Sequence, residues 1–544
     1  MDAQCSFLTQ ELWQVGQRRG LPAAIAGFAI MVAVGPPIAL AGPLSTEGPE
    51  VQVSGASPFP ADCGLEPGVS DPPGVTVLDS EVEPWADVNP TNPGNIVAFW
   101  QQDRWNNGGA RGNVAGVSFN GGVNWETVVV PGLTECSGPA DGGTDLNFDR
   151  ASDPWVSFGP DGTLHQISLL FDADPALANF GPNGLAVSKS IDGGLTWTDP
   201  ILIIEDDQPN ILNDKQSLTA DPTDADFVYA VWDRLRVPPG SVINPENVIG
   251  LGFKSPFFFA RSTDGGDTWE RARRIYDPGG NNQTIGHQLV VLPDGMLVDF
   301  FDEILNFRND DGDAQFDLNL SLLRSPNKGE TWLPRGRPIR VADIQSLSVV
   351  TPDEGEGIRD ADILFDVAVD PDPISGALYA VWQDSRFSGF DQIAFIVSTN
   401  GGLTWSTPIR VNQTPANDDN PLRQQAFIPS VVVAGDDGTV TVTYYDFRND
   451  VNTAEVELVD HFAVHCHADC SDPASWADPD DEVRLTATSF NILEAPVARE
   501  LFIGDYVGLA SDGSDFLAVY AKSDDPTGDP ATIFFRRAVG APVM

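Results

Sequence analysis

The sequence predicts an all-β protein, a single seven-bladed β-propeller with six blades as the alternative, and three observations predict it. The first is a repeated turn. Ser-x-Asp/Asn-x-Gly-x-x-Trp occurs at Ser118/Asn120/Gly122/Trp125, Ser190/Asp192/Gly194/Trp197, Ser262/Asp264/Gly266/Trp269, Ser325/Asn327/Gly329/Trp332 and Ser398/Asn400/Gly402/Trp405, with serines 72, 72, 63 and 73 residues apart. A catalytic cluster should occur once, whereas a structural turn recurs with its unit. The second is a set of period-two strands with aromatic ends, among them "NIVAFWQQDR", "FVYAVWDR", "ALYAVWQDSR" and "TVTVTYYDFR". The third is composition: 41% hydrophobic residues supply a core, while 52 Gly and 44 Pro fit many short strands and turns.

The elements follow in order. Residues 1–41 read as an export signal, with Arg18 and Arg19 before an apolar run and "ALA" at 39–41 as the cleavage site. Pro22, Pro36 and Pro37 make that run a poor membrane-spanning helix. Residues 42–73 form an N-terminal extension, and residues 74–544 form the propeller. First strands start near residues 84, 153, 214, 286, 362, 427 and 504, giving seven units. The seventh shows only three strands, so "GVTVLDS" at 74–80 is expected to supply its fourth and close the ring, which removes exposed sheet edges. In the recurring turn, Gly takes positive φ, Asp or Asn and Ser bond the backbone, and Trp starts the return strand. The strand exits Asp103/Arg104, Asp233/Arg234, Asp384/Arg386 and Asp446/Arg448 read as ion pairs.

Cys5 falls in the signal, leaving four cysteines, an even number in an exported chain. Cys466 and Cys470 are expected to bridge locally and Cys63 to pair with Cys136; His465 and His467 pose a metal alternative around the former pair. The segment "HCHADCSDPASW" aligns with the recurring turn, so a bridge there would clip a hairpin that has lost its Asp motif. The net charge of −49 lacks the basic footprint that nucleic acid or anionic membranes require. No nucleophilic Ser elbow, zinc-protease helix or phosphate loop is present, which argues against peptidase and nucleotide chemistry.

The turns "SKSIDGGLTW", "ARSTDGGDTW" and "VSTNGGLTW" resemble the Asp-box (BNR) repeats of the sialidase superfamily of β-propellers. The resemblance spans nearly the whole mature chain and implies a central funnel that engages glycans or glycoconjugates, with exo-glycosidase activity as one outcome and a non-catalytic binding or scaffold propeller as the other. Family sialidases hold a substrate carboxylate with three arginines and use a Tyr nucleophile, a Glu and an Asp acid/base. The family's Phe/Tyr-Arg-Ile-Pro stretch has no match here.

Candidate site residues come from the starts of the first strands, which face the funnel: Glu83 and Trp85, Arg150 and Asp153, Asp214 and Lys215, His287, Arg359 with Asp360 and Asp362, Arg423, Asp505 and Tyr506. Arg150, Arg359 and Arg423 are the candidate carboxylate triad, with His287 as a further substrate contact; guanidinium forks suit carboxylates. Tyr506 is the candidate nucleophile, and Asp153, Asp214, Asp360 and Asp505 offer the facing carboxylates a glycosidase needs. No cofactor is required. "NFRNDDGDAQFD" places Asn309, Asp311 and Asp313 like the first half of a calcium loop but has Leu320 where the twelfth-position Glu belongs; a solvated acidic loop is the other reading.

Overall fold

The computed structural model describes residues 43–60, 62–64, 75–139, 143–172, 181–238, 253–309, 314–435, 438–451, 453, 455–523 and 530–540. The expected signal at 1–41 lies outside them. All the sheets are antiparallel, and the described residues contain no α-helix.

Each unit is a meander of four strands. The first runs from Glu81–Val88 through Ile96–Arg104 and Ala110–Ser118 to Glu126–Val129, and the pattern repeats from Arg150–Phe158, Ile211–Ala220, Gln283–Val291, Phe365–Val369 and Ala426–Val433. The last sheet orders Gly508–Ser511, Asp515–Lys522, Thr532–Gly540 and then Leu44–Gln52. The first strands pack on one another in chain order, and Gly508–Ser511 packs back on Glu81–Val88. A Cβ on Gly508 would stand 2.9 Å from the Ala86 nitrogen, so only glycine permits that approach.

The fourth strand of the last sheet is therefore Leu44–Gln52, not residues 74–80, and it belongs to the folded body instead of a linker. It pairs Leu44 with Gly540 and Gln52 with Phe534 at the outer edge, where Pro49 removes no ladder bond from a central strand. Residues 75–80 contribute only the isolated bridges Thr76–Trp105 and Ser80–Ala531, because the Asp79 N–H donates to Asp103 (2.9 Å) and the Val77 N–H to the Arg104 carbonyl (2.8 Å).

Second strands are the most buried. Trp100, Trp232 and Trp382 occupy the same place in three of them with no exposed surface, filling the space between sheets. The recurring turns close as their residues dictate: each Ser hydroxyl accepts the N–H of the Gly four residues on, at 2.8–2.9 Å. Each Asp or Asn accepts an N–H four residues on, as Thr268 donates to Asp264 at 2.8 Å. They also hold the neighbouring unit, since Lys189 donates to the Gly265 carbonyl (2.8 Å) and Asn95 to that of Gly193 (3.1 Å). Both disulfides form as expected, Cys63–Cys136 and Cys466–Cys470.

The strand-exit pairs divide by spacing. Arg386 and Arg448 bond Asp384 (2.7 Å) and Asp446 (2.6 Å), the last residue of each strand, in the turn that follows it, where each Asp also accepts the arginine's N–H. Asp103 and Asp233, one residue from Arg104 and Arg234, point to the opposite side. Asp103 instead faces Arg111 at 3.6 Å, Asp233 accepts from Ser255, and Arg234 pairs with Asp206.

Candidate active site

A backbone irregularity builds the site. Five first strands carry a bulge at the same point, between Val82/Trp85, Ser152/Trp155, Asp214/Ser217, Ile285/Gln288 and Phe427/Ser430. The residue inside each bulge has positive φ: Glu83 (54°), Asp153 (48°), Lys215 (45°), Gly286 (69°) and Ile428 (47°). A left-handed conformation in non-glycine residues is costly and persists only where surrounding structure enforces it, and a bulge re-aims its side chain. Here the re-aimed side chains include an acid, a second acid and a lysine.

They meet at one cavity whose lining includes Trp85, Asp153, Trp155, Lys215, Gln288, Asp360, Asp366, Pro429, Asp505 and Tyr506. Lys215 Nζ lies 2.7 Å from Asp153 Oδ1, 2.5 Å from Asp505 Oδ2 and 3.5 Å from Glu83 Oε1. Arg359 grips Asp505 with two nitrogens, its Nε at 2.9 Å. Phe502 is flanked by the guanidiniums of Arg359 (4.4 Å) and Arg104 (4.5 Å), and Arg104 in turn bonds Gln101, which bonds Glu83.

Burial sets the charges. It pushes the Glu83 carboxyl up to about 8, with Lys215 opposing. Burial also acts on Asp505, but Arg359 and Lys215 outweigh it and hold that carboxyl well below the carboxylate range. The Lys215 ammonium is destabilised by burial and more than restored by Asp153, Asp505 and Glu83, so it stays charged. Across the cavity, burial and then Asp362 raise Asp360 far above its ordinary value. Its Oδ2 accepts from the Val349 N–H (2.9 Å) and from Gln383 (2.7 Å).

The aromatic wall is Trp85 stacked on Trp155, centroids 3.5 Å apart, with Tyr506 edge-on to both at 6.0 and 5.7 Å. Trp85, Trp155, Gln288 and Asp366 also line a second opening beyond the bulges, so they form the partition between the two.

Of the residues expected here, Asp153, His287, Asp360, Asp505 and Tyr506 line the cavity, and Arg359 borders it through Asp505. Asp214 sits opposite Asp233 in the strand pair behind it; burial and then Asp153 raise Asp214 to about 6, and burial and then Asp214 raise Asp233 well above its ordinary value. The expected arginine triad does not share a ligand position. Arg150 lies over the Trp105 ring at 4.4 Å and donates to Asn107 and the Gly108 carbonyl, Arg423 binds Asp450 (2.9 Å) and Asp353 (3.4 Å), and only Arg359 reaches the centre. Each guanidinium is drawn to a different set of acids or carbonyls.

Tyr506, the expected nucleophile, lines the cavity with its hydroxyl engaged. Its hydroxyl donates to the Pro154 carbonyl at 3.1 Å, and burial, then Glu83, push its ionisation well above the ordinary value. His287 also lines the cavity, with its ring buried, bonded to Asp299 and Thr284 at 2.9 Å each and stacked on Phe257. Asn309 follows the strand Leu297–Arg308, while Asp311 and Asp313 lie outside the described residues.

Sequence reasoning did not single out Trp155, Gln383 or Asp366. A signal existed: "EPW" at 83–85 and "DPW" at 153–155 repeat acid, proline and tryptophan across the bulge.

No family model matches the chain, and no curated protein matches it. The chain is similar to solved glycosidase structures. These include the Hadza microbial sialidase Hz136 (15% identity, 82% of this chain and 76% of that one, TM-score 0.43) and the Penicillium chrysogenum alpha-L-arabinanase complexed with arabinobiose (13%, 74% and 93%, 0.42). A protein of unknown function from Dyadobacter fermentans matches at 13% identity over 87% of this chain and 100% of its own, TM-score 0.41.

Proposed function

We propose that this chain is an exported, seven-bladed propeller whose cavity binds a glycan and cleaves a glycosidic bond of an uncharged sugar. The observation that carries the reading is the pairing, in one cavity, of an aromatic wall with a buried carboxyl, Asp360, whose surroundings favour its neutral form, and a lysine-bound carboxyl, Asp153. Sugar rings stack on aromatic faces, and glycosidic cleavage needs one carboxylic acid to protonate the leaving oxygen and one carboxylate to attack the anomeric carbon or activate water. Asp360 takes the acid role and Asp153 the carboxylate role. Arg359 is neutralised by Asp505, and Arg150 and Arg423 lie elsewhere, which favours an uncharged sugar over a sialoside.

The cyclic packing of the first strands supports seven blades in a closed ring, and two disulfides support export to an oxidising compartment. The mutual neutralisation of Asp153, Lys215, Asp505 and Arg359 favours a second reading, a glycan-binding propeller without turnover.

The test is a panel of fluorogenic aryl glycosides and oligosaccharides presented to the mature chain and to Asp153→Asn and Asp360→Asn. Hydrolysis of an uncharged glycoside, lost by at least ~100-fold in either variant while binding persists, is the expected result. Binding without turnover in every form supports the second reading; neither binding nor turnover overturns both.

A further inference from the structure

The sixth unit has lost the Ser-x-Asp-x-Gly turn and carries instead the Cys466–Cys470 bridge, which closes the hairpin after the strand Leu458–Cys466. Beside it, His465 Nε2 lies 3.0 Å from Asp481 Oδ1 and 3.0 Å from His467 Nε2. All three ligand atoms lie within 4.8 Å of one another. We propose that His465, His467 and Asp481 bind a divalent transition-metal ion of the zinc class, separate from the glycan cavity.

The chemistry of the three atoms points to a cation. A neutral imidazole nitrogen holds either a proton or a lone pair. His467 Nδ1 lies 3.0 Å from Thr439 Oγ1, and donating its proton there leaves the lone pair on Nε2, facing His465. His465 Nε2 then faces that lone pair on one side and the Asp481 carboxylate on the other. One proton serves both contacts poorly, whereas a metal ion accepts all three electron pairs. Two imidazoles and a carboxylate match the donor set of zinc sites, with bonds of about 2.0–2.2 Å that bring neighbouring ligand atoms to roughly this spacing.

Each ligand is held by structure formed without the ion. His465 lies in the strand Leu458–Cys466 and His467 one residue past its end, where the Cys466–Cys470 bridge holds the chain, and the His465 side chain has no exposed surface. Asp481 ends the 3-10 turn Pro479–Asp481, which Asp478 caps by accepting the Asp480 N–H at 3.0 Å. Asp481 is 20% exposed and His467 half-buried, giving an ion an entry path and a fourth, water-filled position. Bound there, the ion ties the end of the third strand to the turn leading into the fourth, Glu482–Arg484, the connection that the other units make with Asp or Asn.

The test is isothermal titration of zinc into the chelator-stripped mature chain with disulfides intact, beside His467→Ala and Asp481→Asn, with calcium and magnesium as controls. The expected result is one zinc per chain, weakened at least ~100-fold in His467→Ala and ~10-fold or more in Asp481→Asn, with no competition from calcium. Zinc should also raise the thermal transition of the wild type but not of His467→Ala. Zinc uptake far below one per chain, or affinity unchanged in the variants, overturns the proposal. Should His467→Ala fail to fold, Asp481→Asn decides.

Discussion

Replacing Lys215 with methionine removes the cation at the centre of the bulge cluster while keeping most of the side-chain volume. The ammonium stands 2.7 Å from Asp153 and 2.5 Å from Asp505, with its side chain only 13% exposed. Arg359 still covers Asp505, but Asp153 has no second basic partner among the described ion pairs. Uncovering a buried carboxylate in this way costs about 3–5 kcal/mol. For a chain of this size, with unfolding entropy scaling as about 2 cal/mol/K per residue, that is a fall of roughly 3–5 °C in the thermal transition. Adding Asp153→Asn to Lys215→Met should recover at least ~1 kcal/mol, because the uncovered charge is gone. Acidification should narrow the gap between wild type and Lys215→Met, since the stranded carboxylates take up protons. Calorimetry of the three proteins between pH 5 and 8 decides it. Equal stability of Lys215→Met and wild type within ~0.5 kcal/mol, or a gap that widens on acidification, refutes the reasoning.

Other outcomes follow from the same structure. Glu83 is pushed up to about 8, Asp391 to about 7 and Asp87, Asp214, Asp366 and Asp446 to about 6, all chiefly by burial. The folded chain therefore holds protons that the unfolded chain releases at ordinary values, so this stabilisation is complete below about pH 4 and is lost as pH rises through 6–8. Thermal scans should show the transition falling from pH 5 to 8, and Asp391→Asn should flatten the part up to 7; a transition that rises over this range contradicts it. Removing Cys63–Cys136, which spans 73 residues, should cost about 4 kcal/mol, against about 2 for Cys466–Cys470, which spans 4, by the loop-entropy relation; denaturant midpoints of the two double-serine variants measure the difference. Asp264→Asn should be tolerated, because Asn fills the same position at 120, 327 and 400, while Asp264→Ala should lose about 1 kcal/mol with the Thr268 bonds.

The strand framework was legible because its signals are local. Gly and Asp spacing marks the turns, and period-two alternation marks the strands, whatever the tertiary context. The identity of the last sheet's outer strand was not, since the polar, Pro-containing Leu44–Gln52 carries little strand signal beside the apolar residues of 74–80, and only the free edge of Thr532–Gly540 selects it. The site was half legible. Positions near first-strand starts pointed to Asp153, Asp360, Asp505 and Tyr506, which line the cavity because each lies in a bulge or just ahead of its strand. Partner choice is non-local: Asp505 joins Arg359 across 146 residues and Lys215 across 290, and no sequence spacing encodes that. The His287 partners were hidden for the same reason: its ring bonds Asp299 and Thr284 behind the cavity lining.

The central claim is that the bulge residues converge on a cavity that holds a sugar. A crystal structure of the mature chain, as Asp360→Asn to prevent turnover, soaked with the best glycoside from the panel tests it most directly. The account predicts a sugar ring against Trp85 and Tyr506 with its glycosidic oxygen at residue 360 and its anomeric carbon toward Asp153. A sugar bound on the outer faces of the sheets, with the cavity filled by water alone, would contradict it.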